Sequence, residues 1–200
     1  GLQEKLRAFA HFLQKYPQHH GRVSLVQLAA PSRLHLKRYQ DHLEELVHYA
    51  EQINSQFATE GWKPIHLLVD QHDAGTVHAF LSMATIAIVS SLHDGMNLVA
   101  KEYVLAQDGL GGCLILSEFA GAAQQLTDAL VINPYDTEQF ADAIRYAMEM
   151  PVEERSERMR RLRWHVDEHN IYRWAAEVLS GMHAVKPANV QAAADGKAWV

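Results

Sequence analysis

Cysteine is nearly absent: the 200 residues hold one, Cys113. A lone thiol closes no intrachain disulfide and builds no cysteine zinc site, so the chain asks for no oxidising compartment and the cytoplasm is the expected location. Long apolar runs are missing as well. The longest strongly apolar stretches, such as Phe80 to Val89, fall far short of the roughly 20 residues that a membrane span needs. The N-terminus shows no signal-peptide pattern, and no membrane partner is expected. Nor is there a basic excess. Eighteen Lys and Arg stand against 24 Asp and Glu, a formal charge of −6, with the two signs interleaved along the chain. That argues against a dedicated nucleic-acid binder. Internal repeats and low-complexity tracts are also lacking. What is present is ordinary globular composition, 48 % apolar and 21 % charged, at a length sufficient for one domain with a sizeable core. The first residue is Gly, not Met, and helical spacing (Leu2, Leu6, Phe9, Leu13) begins at once, so the sequence reads as a fragment.

From Gly21 onward, apolar runs alternate with amphipathic stretches. Arg22 to Ala30 reads as a buried strand ended by Pro31. Ser32 can cap a long helix whose apolar face is Leu36, Tyr39, Leu43, Leu46, Val47, Ala50, Ile53 and Phe57, with Gly61 as its stop. Further strands are predicted at Ile65 to Val69, Thr85 to Ser90, Cys113 to Leu116 and Ala129 to Ile132. Helices are predicted at Thr76 to Met83, Asn97 to Gln107 and Ala120 to Thr127. The last third is helical: Asp136 with Gln139 suggests a capping box before Phe140 to Met148, Pro151 suits the first turn of the next helix, and Ile171 to Leu179 ends at Gly181. Residues 182–200 lose periodicity and read as a tail, leaving residues 1–181 as the domain. Strands separated by helix-length segments are the mark of βαβ units, so the expected fold is α/β, a doubly wound, Rossmann-like parallel sheet. Ligands of such sheets sit beyond the carboxyl ends of the strands, which singles out Pro31–Arg33, Asp70–Asp73, Ser91–Asn97, Ser117–Gly121 and Asn133–Asp136.

Ser90 to Gln107 is the most informative stretch. An apolar strand ends in a polar loop containing Asp94-Gly95, and a helix starts directly, aiming free N–H groups and a positive dipole end at the ligand crevice. Asp94 can accept hydrogen bonds from hydroxyls, and Gly95 lets a ligand approach the backbone. Glu102, eight residues after Asp94, lies about 12 Å along the helix axis. That span suits a ligand as long as a nucleotide-sugar. The same residues also fit a plain structural role, with Asp94 capping the helix and Glu102 on a solvated face.

The string DGMNLVAKEYV, Asp94 to Val104, resembles the donor-site motif of trehalose-6-phosphate synthases, retaining glycosyltransferases built of two Rossmann-like domains (the GT-B architecture). YPQHHG (Tyr16 to Gly21), APSR (Ala30 to Arg33), G-W-x-P (Gly61 to Pro64), LSEFAGAA (Leu116 to Ala123) and VINPYD (Val131 to Asp136) follow in the family's order, so the resemblance spans roughly Gly1 to Gly181. It implies that the chain is the C-terminal, nucleotide-sugar-binding half of a glucosyltransferase. That enzyme moves glucose from UDP-glucose to glucose 6-phosphate and gives trehalose 6-phosphate. It further implies that Asp94, Gly95, Met96, Asn97, Leu98 and Val99 hold glucose hydroxyls and the diphosphate, and that Glu102 binds the ribose hydroxyls. The uracil falls at about His72, and Arg33 meets the acceptor's phosphate or else pairs structurally with an acid. No metal and no cofactor beyond the donor substrate are implied. The implied partners are the two substrates and an upstream acceptor domain, with a homo-oligomer left open.

Two departures from the family pattern stand out. His93 precedes Asp94 where the family has Arg. The family's phosphate-gripping Arg and Lys lie in an R-x-D-Y-x-K-G segment of which only the final Gly coincides with Gly1, so those cations and the domain's first strand are expected upstream. Retaining transfer of this kind needs positive charge around the leaving UDP rather than a carboxylate dyad, so no residue of the chain is expected to act as acid, base or nucleophile. Residues 1–200 alone are expected to be inactive. A glucosylglycerol-phosphate synthase, or a synthase-like module that binds nucleotide without transfer, are the alternatives. The thirteen histidines show no metal-ligand spacing. Arg155 to Arg163 reads as a helix face paired with Glu153, Glu154 and Glu157 rather than as a phosphate or RNA contact. Trp164, Tyr172 and Trp174 read as core or interdomain packing.

Overall fold

The structure, a computed structural model, describes residues 1–31 and 36–184. The chain opens with α1 (Leu2–Lys15) and a 3₁₀ turn at Pro17–His19, then β1 (Leu25–Leu28), α2 (Lys37–Phe57), β2 (Ile65–Leu68), α3 (Ala74–Met83) and β3 (Ile86–Val89). It continues with α4 (Leu98–Ala106), β4 (Cys113–Ser117), a 3₁₀ turn at Gly121–Gln124, β5 (Leu130–Ile132), α5 (Thr137–Glu149), α6 (Val152–Glu168) and α7 (Ile171–Ala184). All strand pairs are parallel, as helical crossovers require. β1 pairs with β2, Leu25 opposite Ile65. β4 pairs with β3, Ile86 opposite Cys113, and with β5, Ile115 opposite Leu130. The five strands thus form two ladders, β1–β2 and β3–β4–β5, and β1 and β3 each keep one unpaired edge among the described residues.

β4 explains the layering. All five of its residues are buried, and because side chains alternate across a strand, Cys113 and Ile115 enter one core while Leu114 and Leu116 enter the other. The first core lies under α1, α2 and α5 around Phe9, Phe12, Leu46, Ile53 and Phe140; the second lies under α4 and α6 around Tyr103, Val104, Met159 and Leu162. α1 spans the divide between the ladders. Lys5 Nζ donates to Gln27 Oε1 of β1 at 2.9 Å, and Ser90 Oγ, one residue past β3, donates to the Gly1 carbonyl at 2.8 Å.

Several boundaries differ from the sequence expectation, each for a local reason. β1 covers Leu25–Leu28 rather than residues 22–30, because Val23 and Lys63 give their carbonyls to Trp62 Nε1 and Ser24 Oγ instead of to a ladder. α2 ends at Phe57, short of Gly61, which sits at φ 83° in the turn closed by Thr59 and Trp62. The expected helix Ala120 to Thr127 is only a 3₁₀ turn, its backbone closing i→i+3 bonds from the Ala123 N–H to the Ala120 carbonyl and from the Gln125 N–H to the Ala122 carbonyl, while the Gly121 and Ala122 N–H groups donate to the Asp94 and Met96 carbonyls. Asp136 caps α5 through the Gln139 N–H at 2.9 Å, but Gln139 Oε1 returns to the Asn133 N–H, and the helix begins at Thr137 rather than Phe140. Pro151 is the N-cap of α6, not a first-turn residue. α7 passes through Gly181 to Ala184, at a cost of about 1 kcal/mol for an interior glycine. The expected Ser32 cap and residues 185–200 of the expected tail lie outside the described residues.

Lys5 is buried with one polar partner, and burial pushes its ammonium down from 10.5 to about 8. Below pH 8 both folded and unfolded chains carry the proton, and the folded one bears the desolvation cost. Between about 8 and 10.5 the unfolded chain binds more protons, so this residue's contribution makes stability rise with pH. Lys5→Met is expected to stabilise at pH 7 by as much as about 3 kcal/mol, with the advantage fading by pH 10.5. Urea melts of both chains at the two pH values check this.

Candidate functional site

At the carboxyl end of β3 the chain turns through Ser90 to Asn97 and enters α4. Asn97 caps that helix: its Oδ1 accepts the Ala100 N–H at 3.0 Å, and its backbone sits at φ 76°. The sequence allowed Asp94 this role, but the structure gives Asp94 another. Its carboxylate accepts the Met96 N–H at 3.1 Å on Oδ1, and Asn97 Nδ2 at 2.9 Å and Ser91 Oγ at 3.4 Å on Oδ2. These donors, Asn97 first, hold the carboxyl below the usual carboxylate range. The order this carboxylate brings to the loop is therefore present above the ordinary range and lost only as pH falls through the depressed value.

A second loop fixes the first from behind. The Asp94 N–H donates to the Phe119 carbonyl at 3.1 Å, Gly121 N–H to the Asp94 carbonyl at 2.9 Å, and Ala122 N–H to the Met96 carbonyl at 2.7 Å. A Cβ on Gly121 would collide with the Gly95 carbonyl oxygen, so the two backbones approach more closely than any other residue at position 121 allows. Ser117 Oγ donates to the Ser91 carbonyl at 2.6 Å, tying the two strand ends together. Ser91, Ser117 and Gly121 were not singled out individually in the sequence, although both of their loops were; their only signal is small or polar residues at the ends of apolar strands.

The outcome is an open shelf. Asp94 and Asn97 are half-buried, while Gly95, Met96, Leu98, Val99 and Glu102 are exposed. As the first residues of a helix, Leu98 and Val99 have N–H groups with no partner among the described residues, and they point to the same side as the dipole's positive end. Glu102 stands one turn further along the same exposed stripe with no polar partner among the described residues. The structure therefore brings Asp94 to Val99 and Glu102 together. His72 is elsewhere, half-buried on the loop after β2 in the other ladder, with Nε2 unpartnered. Asp73 beside it caps α3 through the Thr76 N–H at 2.7 Å, and α3 in turn packs on α4. Arg33 lies outside the described residues. His93 is exposed on the shelf itself.

The other features carry no site. A hollow of about 630 Å³ at the amino ends of β1 and β2, the far end of the strands, is lined by groups already paired: Asn54 with Ile65, Ser24 with the Lys63 carbonyl, Trp62 with the Val23 carbonyl. The arginines of α6 are engaged, Arg158 with Glu154 at 2.8 Å, Arg161 with Asp128 at 2.7 Å and Arg163 with Asp108 at 3.2 Å. Trp164, Tyr172 and Trp174 are exposed rather than in the core.

Against known proteins, the model of glycosyltransferase family 20 matches residues 1–184. The chain is 40 % identical over 198 residues to a trehalose-6-phosphate synthase of Klebsiella pneumoniae, covering 98 % of this chain and 42 % of that protein. It is 38 % identical, with a TM-score of 0.89, to an Escherichia coli trehalose-6-phosphate structure bound with UDP-2-fluoro glucose, over 93 % of this chain and 42 % of that one. It is 38 % identical, with a TM-score of 0.88, to a UDP-forming alpha,alpha-trehalose-phosphate synthase of Burkholderia xenovorans in complex with glucose-6-phosphate, over 92 % of this chain and 41 % of that one. The chain thus spans about two fifths of each.

Two substitutions test the geometry. Asn97→Ala removes the cap and strains a positive φ, and is expected to cost about 2 kcal/mol, whereas Asn97→Gly, which tolerates that φ, is expected to cost well under about 1 kcal/mol by urea melts. Gly121→Ala is expected to cost about 1–3 kcal/mol and to raise the Asp94 carboxyl toward the ordinary range, as read by carboxyl NMR titration.

Proposed function

The chain belongs to glycosyltransferase family 20, and on that premise we propose that it is the donor-binding part of a retaining glucosyltransferase. The reaction moves glucose from UDP-glucose to glucose 6-phosphate, giving trehalose 6-phosphate and UDP. The observation that carries this reading is the shelf. An ionised, hydrogen-bonded Asp94 stands beside the free N–H groups of Leu98 and Val99, with an unengaged Glu102 one turn on. A sugar diphosphate has hydroxyls for the first, charged oxygens for the second and ribose hydroxyls for the third.

On this reading Asp94, with the backbone of Gly95, Met96 and Asn97, orients the glucose, and the α4 N-terminus at Leu98 and Val99 takes the diphosphate. Glu102 takes the ribose, and the loop at His72 takes the uracil. Arg33 meets the phosphate of the acceptor. As the glycosidic bond breaks, negative charge grows on UDP, and preorganised N–H donors in a closed cleft stabilise it without reorganisation. The remaining positive charge is assigned to Arg and Lys upstream of Gly1, so no metal or further cofactor is called for. Asp94 is assigned a binding and orienting role rather than that of nucleophile or base: its carboxylate, held by Met96 and Asn97, keeps acceptor capacity for the sugar hydroxyls. The departing phosphate takes the acceptor hydroxyl's proton on the face that it leaves.

Residues 1–184 form the nucleotide-sugar domain on this reading, with an acceptor domain upstream. The free edges of β1 and β3, both touched by the first turns of α1, suit a further parallel strand leading into Gly1. The single unpaired cysteine suits a reducing cytoplasm, and no helix among the described residues is long and apolar enough to cross a membrane.

The test is a calorimetric titration of the full natural chain with UDP, UDP-glucose and GDP-glucose. UDP-glucose is expected to bind, and Asp94→Ala and Glu102→Ala each to weaken it about tenfold or more, the scale of one charged hydrogen bond. Residues 1–200 alone are expected to release no measurable UDP in the presence of both substrates. Undiminished binding in both variants, or robust turnover by residues 1–200, would sink the reading.

A further inference from the structure

We propose that Ser117 is a positioning residue for the donor sugar, acting through Asp94; the proposal rests on the donor-site reading above. Ser117 ends β4, whose other residues are Cys113, Leu114, Ile115 and Leu116, and it is as buried as they are. A hydroxyl in such a place is costly unless bonded. This one is bonded twice: it donates to the Ser91 carbonyl at 2.6 Å and accepts the Phe119 N–H at 3.1 Å.

Both of those partners also hold Asp94, alongside the Gly121 N–H that donates to its carbonyl at 2.9 Å. Ser91 Oγ donates to Asp94 Oδ2 at 3.4 Å, and the Phe119 carbonyl accepts the Asp94 N–H at 3.1 Å. One buried hydroxyl thus grips two of the residues that hold Asp94, closing a circuit that runs from Ser117 through Ser91, Asp94 and Phe119 back to Ser117. The β3–β4 ladder ends at Val89 opposite Leu116, one residue before Ser117. The side-chain bond takes over where the backbone pairing stops, and it sets the height of the Asp94 loop above the sheet.

The nucleotide end of the shelf is held differently. α4, which carries the Leu98 and Val99 N–H groups and Glu102, is anchored by the buried Ala100, Tyr103 and Val104, and the Tyr103 hydroxyl bonds to the Ala84 carbonyl at 3.1 Å. None of these contacts passes through Ser117; the link between the two ends is Asn97, which caps α4 through the Ala100 N–H and donates to Asp94. Removing the hydroxyl therefore separates two affinities: contact with the glucose is loosened, and contact with the uridine diphosphate is kept.

The experiment measures UDP and UDP-glucose binding to the full natural chain and takes the ratio of the two affinities, in which the shared uridine diphosphate cancels. Asp94→Ala is expected to lower the UDP-glucose preference about tenfold, and Ser117→Ala about fivefold, roughly the worth of one hydrogen bond. The double variant is expected to fall no further than Asp94→Ala, the non-additivity of two residues acting as one. A wild-type ratio in Ser117→Ala, or additive losses in the double variant, overturns the proposal while a lowered ratio in Asp94→Ala keeps the donor reading. An unchanged ratio in Asp94→Ala overturns both. If the alanine variant does not fold, Ser117→Cys, which fills the space and hydrogen-bonds weakly, is read against the same ratio.

Discussion

β4 has no face turned to water, and the rest of the domain is arranged around that constraint. A strand buried on both sides needs a helical layer on each, so α1, α2 and α5 cover one surface while α4 and α6 cover the other. It also needs a partner strand along each edge, because its N–H and C=O groups have no solvent to turn to. β3 and β5 meet that need in parallel register, and the register brings the loops after β3 and β4 out of the sheet side by side. The hydrogen bonds between the Asp94 and Phe119–Ala122 segments follow from this adjacency. The site is in this sense a continuation of the sheet by other donors and acceptors.

The electrostatics of the shelf are composed of opposites. A carboxylate kept ionised by three donors lies a few residues from a helix end whose free N–H groups favour negative charge. Neither group neutralises the other, because the Asp94 carboxylate is directed toward Met96, Asn97 and Ser91 rather than toward the first helical N–H groups. An extended molecule with neutral hydroxyls at one end and an anion in the middle matches this order of charges better than a compact ion does. Lys101, the nearest cation on α4, is engaged with Gln125 at 2.8 Å and is not directed at the shelf.

Periodicity carried much of the fold. Apolar runs marked all five strands, and the three- and four-residue spacing from Leu36 to Phe57 marked α2. What periodicity could not show is where a backbone group spends its hydrogen bond. Ala120 to Thr127 has helical composition, but its backbone closes i→i+3 bonds and stops at Gln124. Gly181 looks like a stop, yet α7 continues through it, because a glycine interrupts a helix only where the chain also finds a better partner. At the site, the Asp94 to Glu102 string was legible as a polar loop leading directly into a helix. The exchange of roles between Asp94 and Asn97 was not, since either residue type can cap a helix and only the Ala100 N–H donating to Asn97 Oδ1 decides it. Ser117 was not legible for a similar reason: its importance lies in joining the Ser91 carbonyl, 26 residues back, to the Phe119 N–H, two residues on.

The grip on Asp94 also bears on how the protein ages. Among aspartyl dipeptides, aspartate followed by glycine is the most prone to cyclise, the glycine nitrogen attacking the side-chain carboxyl, with loss of water, to form a succinimide that reopens as isoaspartate. That attack requires a protonated carboxyl free to rotate onto the following nitrogen. Here the carboxyl is ionised well below neutrality and pinned forward onto Met96 and Asn97, while the Gly95 carbonyl is wedged against Gly121. The hydrogen bonds that order this turn thus also oppose the chemical decay of Asp94, and the chain keeps an otherwise fragile dipeptide at the head of α4.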